Sequence, residues 1–212
     1  MDFIYDPSLV LYLPLYELDG ASFMSKDKHG HLCTVTGAVW RPNGHYFDGT
    51  DDYINCGAPS VLDFTSQDFT VEAWLKRVVA QNSDIYCHGL YSADGYRLFL
   101  SSAGSLQLNT NQSGAHQDSI SADGEITNDV WFHIVATRLG TTGKVYKNGT
   151  DITSTGASHI DPTTSSRNVY IGQYDLDSQR FGGYIGEVRV YNRALTPTEI
   201  QYNYLATKWR YR

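Results

Sequence analysis

The chain has 212 residues, of which 18% are charged and 41% hydrophobic, and its formal net charge is −7. This composition is typical of a folded domain and excludes a disordered chain. Because the negative charge repels a phosphate backbone and no cluster of Lys and Arg overrides it locally, we do not expect nucleic acid as a partner. We expect one domain over residues 1–212 with its core at about residues 8–206, since one large β-sandwich commonly has this length.

The sequence gives few signals of location. Residues 1–7 lack the basic and apolar regions of a secretory signal, and no run of about 20 apolar residues occurs, so we expect no insertion into a membrane. The compartment stays open, with an extracellular or virion-associated setting favoured. Three cysteines, Cys33, Cys56 and Cys87, cannot all pair with one another and show no CxxC spacing, which predicts free and mostly buried thiols.

Short segments that alternate apolar and polar residues predict half-buried antiparallel strands along much of the chain. In chain order they lie at residues 53–55, 69–75, 96–100 and 105–108. Residues 131–137 are more continuously apolar, which predicts a central strand covered on both faces. Residues 144–147 lead into Asn148-Gly149, a strong signal for a type I′ hairpin turn, so the strands on either side should pair.

One helix is predicted near the end of the chain, from about Pro197 to Leu205. Thr196 supplies an N-cap hydroxyl, Pro197 suits the first helical position and Glu199 completes a capping box. Many strands, frequent turn signals and a single short C-terminal helix predict an all-β fold, an antiparallel two-sheet β-sandwich whose end the helix covers. Three aromatic residues within strand-like segments are expected to pack in the core: Trp74, Trp131 and Tyr191.

Five motifs occur in a fixed order along the chain. They are residues 44–54 (GHYFDGTDDYI), 69–75 (FTVEAWL), 131–137 (WFHIVAT), 145–149 (VYKNG), and 169–172 with 181–195 (VYIG and FGGYIGEVRVYNRAL). Together they resemble the laminin G-like jelly rolls of the concanavalin A-like lectin/glucanase superfamily. The resemblance covers about Val10 to Leu205 and implies a jelly-roll sandwich. The superfamily includes sugar-binding modules, adhesion domains and modules appended to glycoside hydrolases, so the fold leaves the ligand open.

The resemblance also implies a structural calcium ion, which family members often hold at the strand ends. The matching acidic residues here are Asp27, Asp48 and Glu187. Hard cations prefer carboxylate, carbonyl and water oxygens, which acidic loops bring together. The family's usual Asp before this Glu is Gly186 here, and this departure removes one possible ligand. The alternative is that these acids cap turns by accepting backbone N–H bonds.

Two predicted loops, residues 86–96 and 173–180, combine aromatic rings with amides, acids and a histidine. Such groups suit a carbohydrate, because rings stack on the C–H faces of a sugar and planar polar groups bind its hydroxyls. The candidate carbohydrate-binding residues are Tyr86, His88, Tyr91, Tyr96, Gln173, Tyr174, Asp175 and Asp177. The alternative is that these are ordinary solvated loops.

The sequence therefore favours a non-catalytic binding module, a lectin-like carbohydrate-binding or adhesion domain stabilised by calcium, whose partner is a carbohydrate or a glycosylated surface. The alternative is a structural part, such as a phage capsid or tail decoration domain, that packs against other protein subunits. A glycoside hydrolase or lyase is less favoured, because Glu72 has no second acid two residues away in its strand. The histidines show no spacing typical of zinc or catalytic sites.

Overall fold

The computed structural model describes residues 6–212, which form seventeen β-strands, a 3₁₀ turn at Ser60–Leu62 and the helix α1 (Pro197–Thr207). The strands are β1 (Leu9–Leu13), β2 (Ser22–Met24), β3 (Leu32–Thr36), β4 (Val39–Arg41), β5 (Gly44–Asp48), β6 (Tyr53–Asn55), β7 (Phe69–Arg77), β8 (Ser83–Leu90), β9 (Asp94–Leu100), β10 (Leu106–Gln112), β11 (Ala115–Ser121), β12 (Trp131–Leu139), β13 (Thr142–Lys147), β14 (Thr150–Asp151), β15 (Thr153–Gly156), β16 (Val169–Ile171) and β17 (Gly182–Tyr191).

The strands form two antiparallel sheets. The eight-stranded sheet has the order β14-β13-β12-β7-β17-β5-β4, and β1 also pairs with β17. The nine-stranded sheet has the order β15-β11-β10-β9-β8-β16-β6-β3-β2. The predicted fold class is confirmed: the protein is an antiparallel two-sheet β-sandwich with one short C-terminal helix.

The local sequence signals account for several elements. β6 coincides with the predicted strand at residues 53–55, and β12 is buried along most of its length, as its apolar run predicts. Asn148 and Gly149 have φ angles of 51° and 82°, so the turn between β13 and β14 has the two positive φ values that this dipeptide favours. The predicted capping box is present at the start of α1, where Thr196 and Glu199 bond reciprocally.

The main hydrophobic core lies between the two sheets. On β7 the side chains of Val71, Ala73 and Leu75 are buried in this core, and Leu98 and Leu108 enter it from the nine-stranded sheet. Successive strand residues point to opposite faces, so β7 also presents a second row of side chains on its other face. That row is not open to solvent, because a further layer covers it.

The helix α1 provides this layer, and it packs on the outer face of the eight-stranded sheet. The prediction that it covers an end of the sandwich is therefore corrected. Trp74 Nε1 donates to Thr207 Oγ1 over 2.9 Å, which ties the central strand β7 to the helix. A second apolar cluster forms beneath the helix from Leu9, Tyr12, Val135, Tyr146, Tyr191, Leu195 and Ile200. Trp74 and Tyr191 are buried as predicted, but on the outer side of the sheet, whereas Trp131 is half-buried.

Gly186 makes room for an aromatic ring from the end of the chain. It lies at a β-bulge in β17, between the pairs formed by Ile185 and Glu187 with β7. A Cβ atom at this position would lie 2.2 Å from a ring carbon of Tyr211. The ring of Tyr211 stacks on Trp74 with 4.5 Å between centres. The loss of the family's Asp at this position is thus matched by an aromatic side chain that fills the same space.

The three cysteines are free and buried, as predicted. A hydrogen bond with Cys33, together with burial, raises the pKa of Cys56, and burial raises the pKa of Cys87, so these thiols stay protonated. In residues 6–212, no helix has the length and apolar character needed to cross a membrane.

Candidate functional site

A ladder of polar side chains crosses the outer face of the nine-stranded sheet. The register pairs Arg97 on β9 with Asn109 on β10, and Asn109 with Asp118 on β11. Arg97 Nε donates to Asn109 Oδ1 over 2.7 Å, and Asn109 Nδ2 donates to Asp118 Oδ1 over 2.7 Å. Strand alternation sends Leu98 and Leu108 into the core and the ladder to the opposite face.

Tyr91 and His116 form the accessible rim of this ladder. Their ring centres are 4.1 Å apart, and Tyr91 Oη is hydrogen-bonded to His116 Nε2. His116 Nδ1 is 2.9 Å from Ser92 Oγ. Tyr91 and the side chain of His116 are each 36% exposed, so a ring and polar atoms are open to solvent side by side. We call the following five residues the Arg97 face: Tyr91, Arg97, Asn109, His116 and Asp118.

Arg97 is fixed beneath this rim. Its guanidinium carbon lies 4.6 Å from the ring centre of Tyr91, 4.8 Å from that of Phe99 and 5.1 Å from that of Tyr174. Its Nη1 also donates to Asp84 Oδ2 over 3.2 Å. A planar cation that is stacked on rings and bonded at its edge has little rotational freedom, so a ligand would meet a preorganised surface.

A buried carboxyl group supports the Arg97 face. Among the described residues, Asp84 Oδ1 has no hydrogen-bond partner, and Asp84 is fully buried. Burial raises the pKa of Asp84 to about 7, because desolvation of the carboxylate outweighs the attraction of Arg97. Gln179 contacts both Asp84 and Arg97. Its Oε1 accepts from Arg97 Nη1 over 2.8 Å, and its backbone oxygen accepts from Asp84 N over 2.9 Å. The charge beneath the face therefore titrates near neutral pH.

The loops beside the Arg97 face contain strained backbone. Ser92, Asp177 and Gln179 have φ angles of 57°, 55° and 49°, in the left-handed region that favours glycine. Such conformations cost on the order of 1 kcal/mol each and persist where surrounding contacts enforce them. The backbone N–H of Ser92 is held by Asn111 Oδ1 at 3.2 Å. Local strain of this kind is typical of ligand-binding loops.

The structure corrects the prediction for three of the candidate sugar-binding residues. Tyr86 and Tyr96 are fully buried in the core, and their hydroxyl groups are hydrogen-bonded to each other over 2.9 Å. His88 is also buried, and its Nδ1 lies 2.9 Å from the backbone oxygen of Leu62. The alternation on β9 that turns Arg97 outward turns Tyr96 inward, so these rings fill the sandwich and present no face to a ligand.

The second predicted loop lies beside the Arg97 face. Tyr174 Oη accepts a hydrogen bond from the backbone N–H of Tyr91 over 2.8 Å, although Tyr174 is itself buried. Gln173, Asp175 and Asp177 each accept a hydrogen bond from an arginine side chain. Their first role in this fold is to hold the loop. Sugar contact by these residues stays a prediction, and Asp177, with 81% of its side chain exposed, is the most accessible of them.

The structure separates two of the three predicted calcium ligands along β17. Asp27 accepts a hydrogen bond from the backbone N–H of Tyr12, whose strand partner is Arg189. Asp48 is instead partnered with Gly182. Seven residues of one strand separate these two positions, which corresponds to about 23 Å at the usual rise per residue.

The third predicted ligand lies in yet another environment. Glu187 is buried, and its Oε1 accepts from Arg189 Nη2 over 2.8 Å. The predicted set therefore does not form one site. Asp48 has different acidic neighbours: its carboxylate lies with those of Asp51 and Asp52, and the ligand atoms are within 4.8 Å of one another.

A second acid does approach Glu72, from the adjacent strand. Arg189 bridges the two: its Nη1 lies 2.6 Å from Glu72 Oε1 and its Nη2 2.8 Å from Glu187 Oε1. His133 and Asn203 also bond to Glu72. Burial opposes ionisation of Glu72, but Arg189 and His133 outweigh it and lower its pKa to about 2, whereas burial raises the pKa of Glu187. Glu72 is bonded to Asn203 of α1 and both acids are buried, so they form an ion-pair network without access to solvent.

Four residues of the Arg97 face were absent from the sequence-based site: Arg97, Asn109, His116 and Asp118. A usable signal exists in residues 112–115, where Gln112 pairs with Ala115 across a two-residue turn. Asn109 is three residues before Gln112 and Asp118 is three residues after Ala115, so this turn places Asn109 opposite Asp118. A polar residue at the same alternating position of three consecutive strands would then have indicated a polar face.

Solved structures with similar folds include binding domains of toxins and a sialidase. The binding domain of Paraclostridial Mosquitocidal Protein 1 has a TM-score of 0.73 and 16% identity, over 94% of this chain and 52% of that one. The Botulinum neurotoxin serotype D ligand binding domain, solved with N-acetylneuraminic acid, has a TM-score of 0.76 and 13% identity, over 94% and 51%. Trypanosoma rangeli sialidase has a TM-score of 0.70 and 18% identity, over 98% and 34%.

The chain thus spans about half the length of these toxin domains and a third of the sialidase, and at these identities the likeness is one of fold. No curated protein matches the chain. The laminin G family model of the concanavalin A-like lectin/glucanases superfamily matches residues 48–201. This match includes most of the ordered motifs, the strands of both sheets from β6 onward and the start of α1. The chain therefore belongs to the laminin G-like family of the concanavalin A-like superfamily.

Proposed function

We propose that this chain is a non-catalytic, lectin-like carbohydrate-binding module and that its Arg97 face contacts the sugar. The observation that carries the proposal is the exposed ring of Tyr91 beside the polar edges of His116 and Asp118, on a support held in place by Arg97. A sugar alternates C–H faces with hydroxyl pairs, which match a ring flanked by hydrogen-bonding groups. The toxin domain that was solved with N-acetylneuraminic acid has a similar fold and supports a glycan ligand.

The charges of the face favour a neutral sugar. Arg97 is buried, and its Nε and Nη1 already donate to Asn109, Asp84 and Gln179 beneath the face, so it presents little positive charge to a ligand. Asp118 adds a partly exposed carboxylate, which accepts hydrogen bonds from hydroxyl groups and repels acidic sugars. The burial of Glu72 and Glu187, both paired with Arg189, supports a binding role over glycoside hydrolysis, which needs both carboxylates beside the scissile bond.

The test is a screen of neutral oligosaccharides on a glycan array, followed by calorimetric titration of the bound sugars. We expect weak binding, with Kd in the range of about 10 µM to 1 mM, because a single exposed ring with a few polar groups buries little surface. Tyr91→Ala and His116→Ala should each weaken binding at least about tenfold without lowering the thermal midpoint. Tyr202→Ala, which removes an exposed tyrosine of α1, is the matched control and should bind like the parent chain.

Binding that survives in both Tyr91→Ala and His116→Ala would refute the assignment of the Arg97 face. No bound sugar at all, together with a sedimentation mass well above 23.7 kDa, would instead favour the alternative of a structural domain that acts through protein contacts. The two results separate the choice of site from the choice of function.

We also propose that calcium, if it stabilises this fold, binds at Asp48 with Asp51 and Asp52. The residues fit only in part: Asp48 Oδ1 accepts the backbone N–H of Thr50 over 2.7 Å, and Asp52 Oδ2 accepts that of Asp48 over 2.8 Å, so one oxygen of each remains for a cation. Thermal melts with calcium and then with excess chelator test this, since a ligand of the folded state raises its stability. An upward shift that disappears in Asp51→Ala would support the site; no shift would leave the acids as turn caps.

A further inference from the structure

A cleft on the outer face of the eight-stranded sheet has the chemistry of a second ligand site. Its centre is Lys76 on β7, which pairs with Trp131 on β12 on one side and with Tyr184 on β17 on the other. The turn between β4 and β5 forms the remaining wall. We call this space, of about 270 Å³, the Lys76 cleft; it is lined by Arg41, Pro42, Asn43, Lys76, Trp131 and Tyr184.

The aromatic floor of the cleft is held in a fixed arrangement. The ring of Tyr184 packs on Tyr46 at 5.0 Å, and the ring of Trp131 packs on the buried Tyr211 at 4.8 Å. Lys76 Nζ lies 4.6 Å from the ring centre of Tyr184 and 5.8 Å from that of Trp131. Rings supported from behind leave one edge or face for a ligand and lose little freedom when it binds.

The charge of the cleft selects an anion. Its lining contains Lys76 and Arg41 and no carboxylate, in a chain whose formal net charge is −7. Within residues 6–212, neither of these cations takes part in an ion pair, whereas Lys144 on the same sheet is paired with Asp151 over 2.8 Å. Two unpaired cations beside aromatic rings therefore form a local positive site on an acidic protein.

We propose that the Lys76 cleft binds one acidic monosaccharide unit, with its carboxylate between Lys76 and Arg41 and its C–H face on Trp131 or Tyr184. The volume of about 270 Å³ is near the lower end of ligand clefts, which suits a single sugar unit at the end of a glycan. Asn43 supplies an amide within the same lining for a hydroxyl pair. The cleft and the Arg97 face lie on different sheets, so this proposal goes beyond the neutral-sugar site and stands or fails separately.

The test uses the full chain with N-acetylneuraminic acid and glucuronic acid as probes, glucose as the neutral comparison, and ligand-observed saturation-transfer NMR followed by titration. Lys76→Met keeps the apolar stem of the side chain and removes its charge. We expect this variant to weaken binding of both sugar acids at least about tenfold, as for loss of a charged hydrogen bond. Lys144→Met is the matched control and should leave the affinity unchanged. Raising the salt concentration should weaken binding to the parent chain.

Four results would overturn the proposal. They are equal affinity of Lys76→Met and the parent chain for the sugar acids, glucose binding as tightly as the acids, tighter binding of adenosine monophosphate than of either acid, and loss of acid binding in Tyr91→Ala but not in Lys76→Met. The last result would move the acidic sugar to the Arg97 face. Failure of neutral sugars to bind would refute the proposed function of that face and leave the Lys76 cleft standing.

Discussion

Replacing Gly186 with alanine adds one methyl group at the place where the ring of Tyr211 lies. The new Cβ would be 2.2 Å from a ring carbon and 2.6 Å from the hydroxyl oxygen of Tyr211, well inside the normal carbon contact distance of about 3.5 Å. Gly186 is not among the described residues with positive φ, so alanine itself is compatible with the backbone. The ring of Tyr211 must therefore move away from the sheet.

The cost follows from what that ring contacts. Tyr211 is 5% exposed and its ring lies 4.5 Å from that of Trp74 and 4.8 Å from that of Trp131. Burial of an aromatic side chain contributes about 2–3 kcal/mol, and each ring pair about 1 kcal/mol. Partial repacking and the lower entropy of the unfolded alanine chain offset about 1 kcal/mol of this loss. We expect Gly186→Ala to lower the free energy of unfolding by about 3–4 kcal/mol.

The assay is urea unfolding followed by tryptophan fluorescence for Gly186→Ala, Tyr211→Ala and the double variant. Because both single changes remove the same contacts, the double variant should lose little more than either single one. Stabilisation of Gly186→Ala by the roughly 0.4–1 kcal/mol usual for a permitted Gly→Ala change would refute the reasoning, as would fully additive losses.

Three further predictions concern buried polar groups. Burial raises the pKa of Asp84 from 3.8 to about 7, so its stabilising contribution is complete below pH 4 and is lost as the pH rises through 7. The free energy of unfolding, measured in urea, should therefore fall by about 4 kcal/mol through this group between pH 4 and 8, and Asp84→Asn should abolish that fall. Arg189→Met should cost about 3–5 kcal/mol at pH 7, since it leaves Glu72 ionised and buried; a loss below about 1 kcal/mol would contradict this. Cys56 and Cys87, whose pKa values are raised, should react with a thiol reagent at pH 8 only after unfolding, and labelling of the native chain would contradict their burial.

The sequence predicted those parts of the fold that depend on neighbouring residues. Alternation located β6 and β7, and a continuous apolar run located β12. The Asn148-Gly149 turn and the Thr196 cap have local causes that any fold would preserve. The position of α1 was not predictable in the same way. Its packing depends on Trp74 Nε1 reaching Thr207 and on the space left at Gly186, which are contacts between distant segments.

The candidate site was predicted less well because its composition did not reveal direction. Tyr86, Tyr91 and Tyr96 lie in one short stretch, yet only Tyr91, at the turn between two strands, faces solvent, while the others point between the sheets. Alternate residues of a strand point to opposite faces of the sheet, so a shift of one residue in the strand decides whether a ring faces solvent or the core. Arg97 was not predicted as a site residue for the same reason. A single arginine in an apolar strand indicates a polar face only when Asn109 is known to lie opposite it.

The outer face of the eight-stranded sheet is covered by α1 and the residues after it, and this cover limits where the domain can be truncated or fused to another protein. The family match ends at residue 201, within α1, whereas the side chains that cover Trp74 include Tyr204, Thr207 and Tyr211. A fragment trimmed to the family boundary would leave an indole and a buried ion-pair network facing water, and such a surface favours aggregation. A fusion partner should therefore be joined after residue 212, with residues 202–212 retained as part of the folded unit.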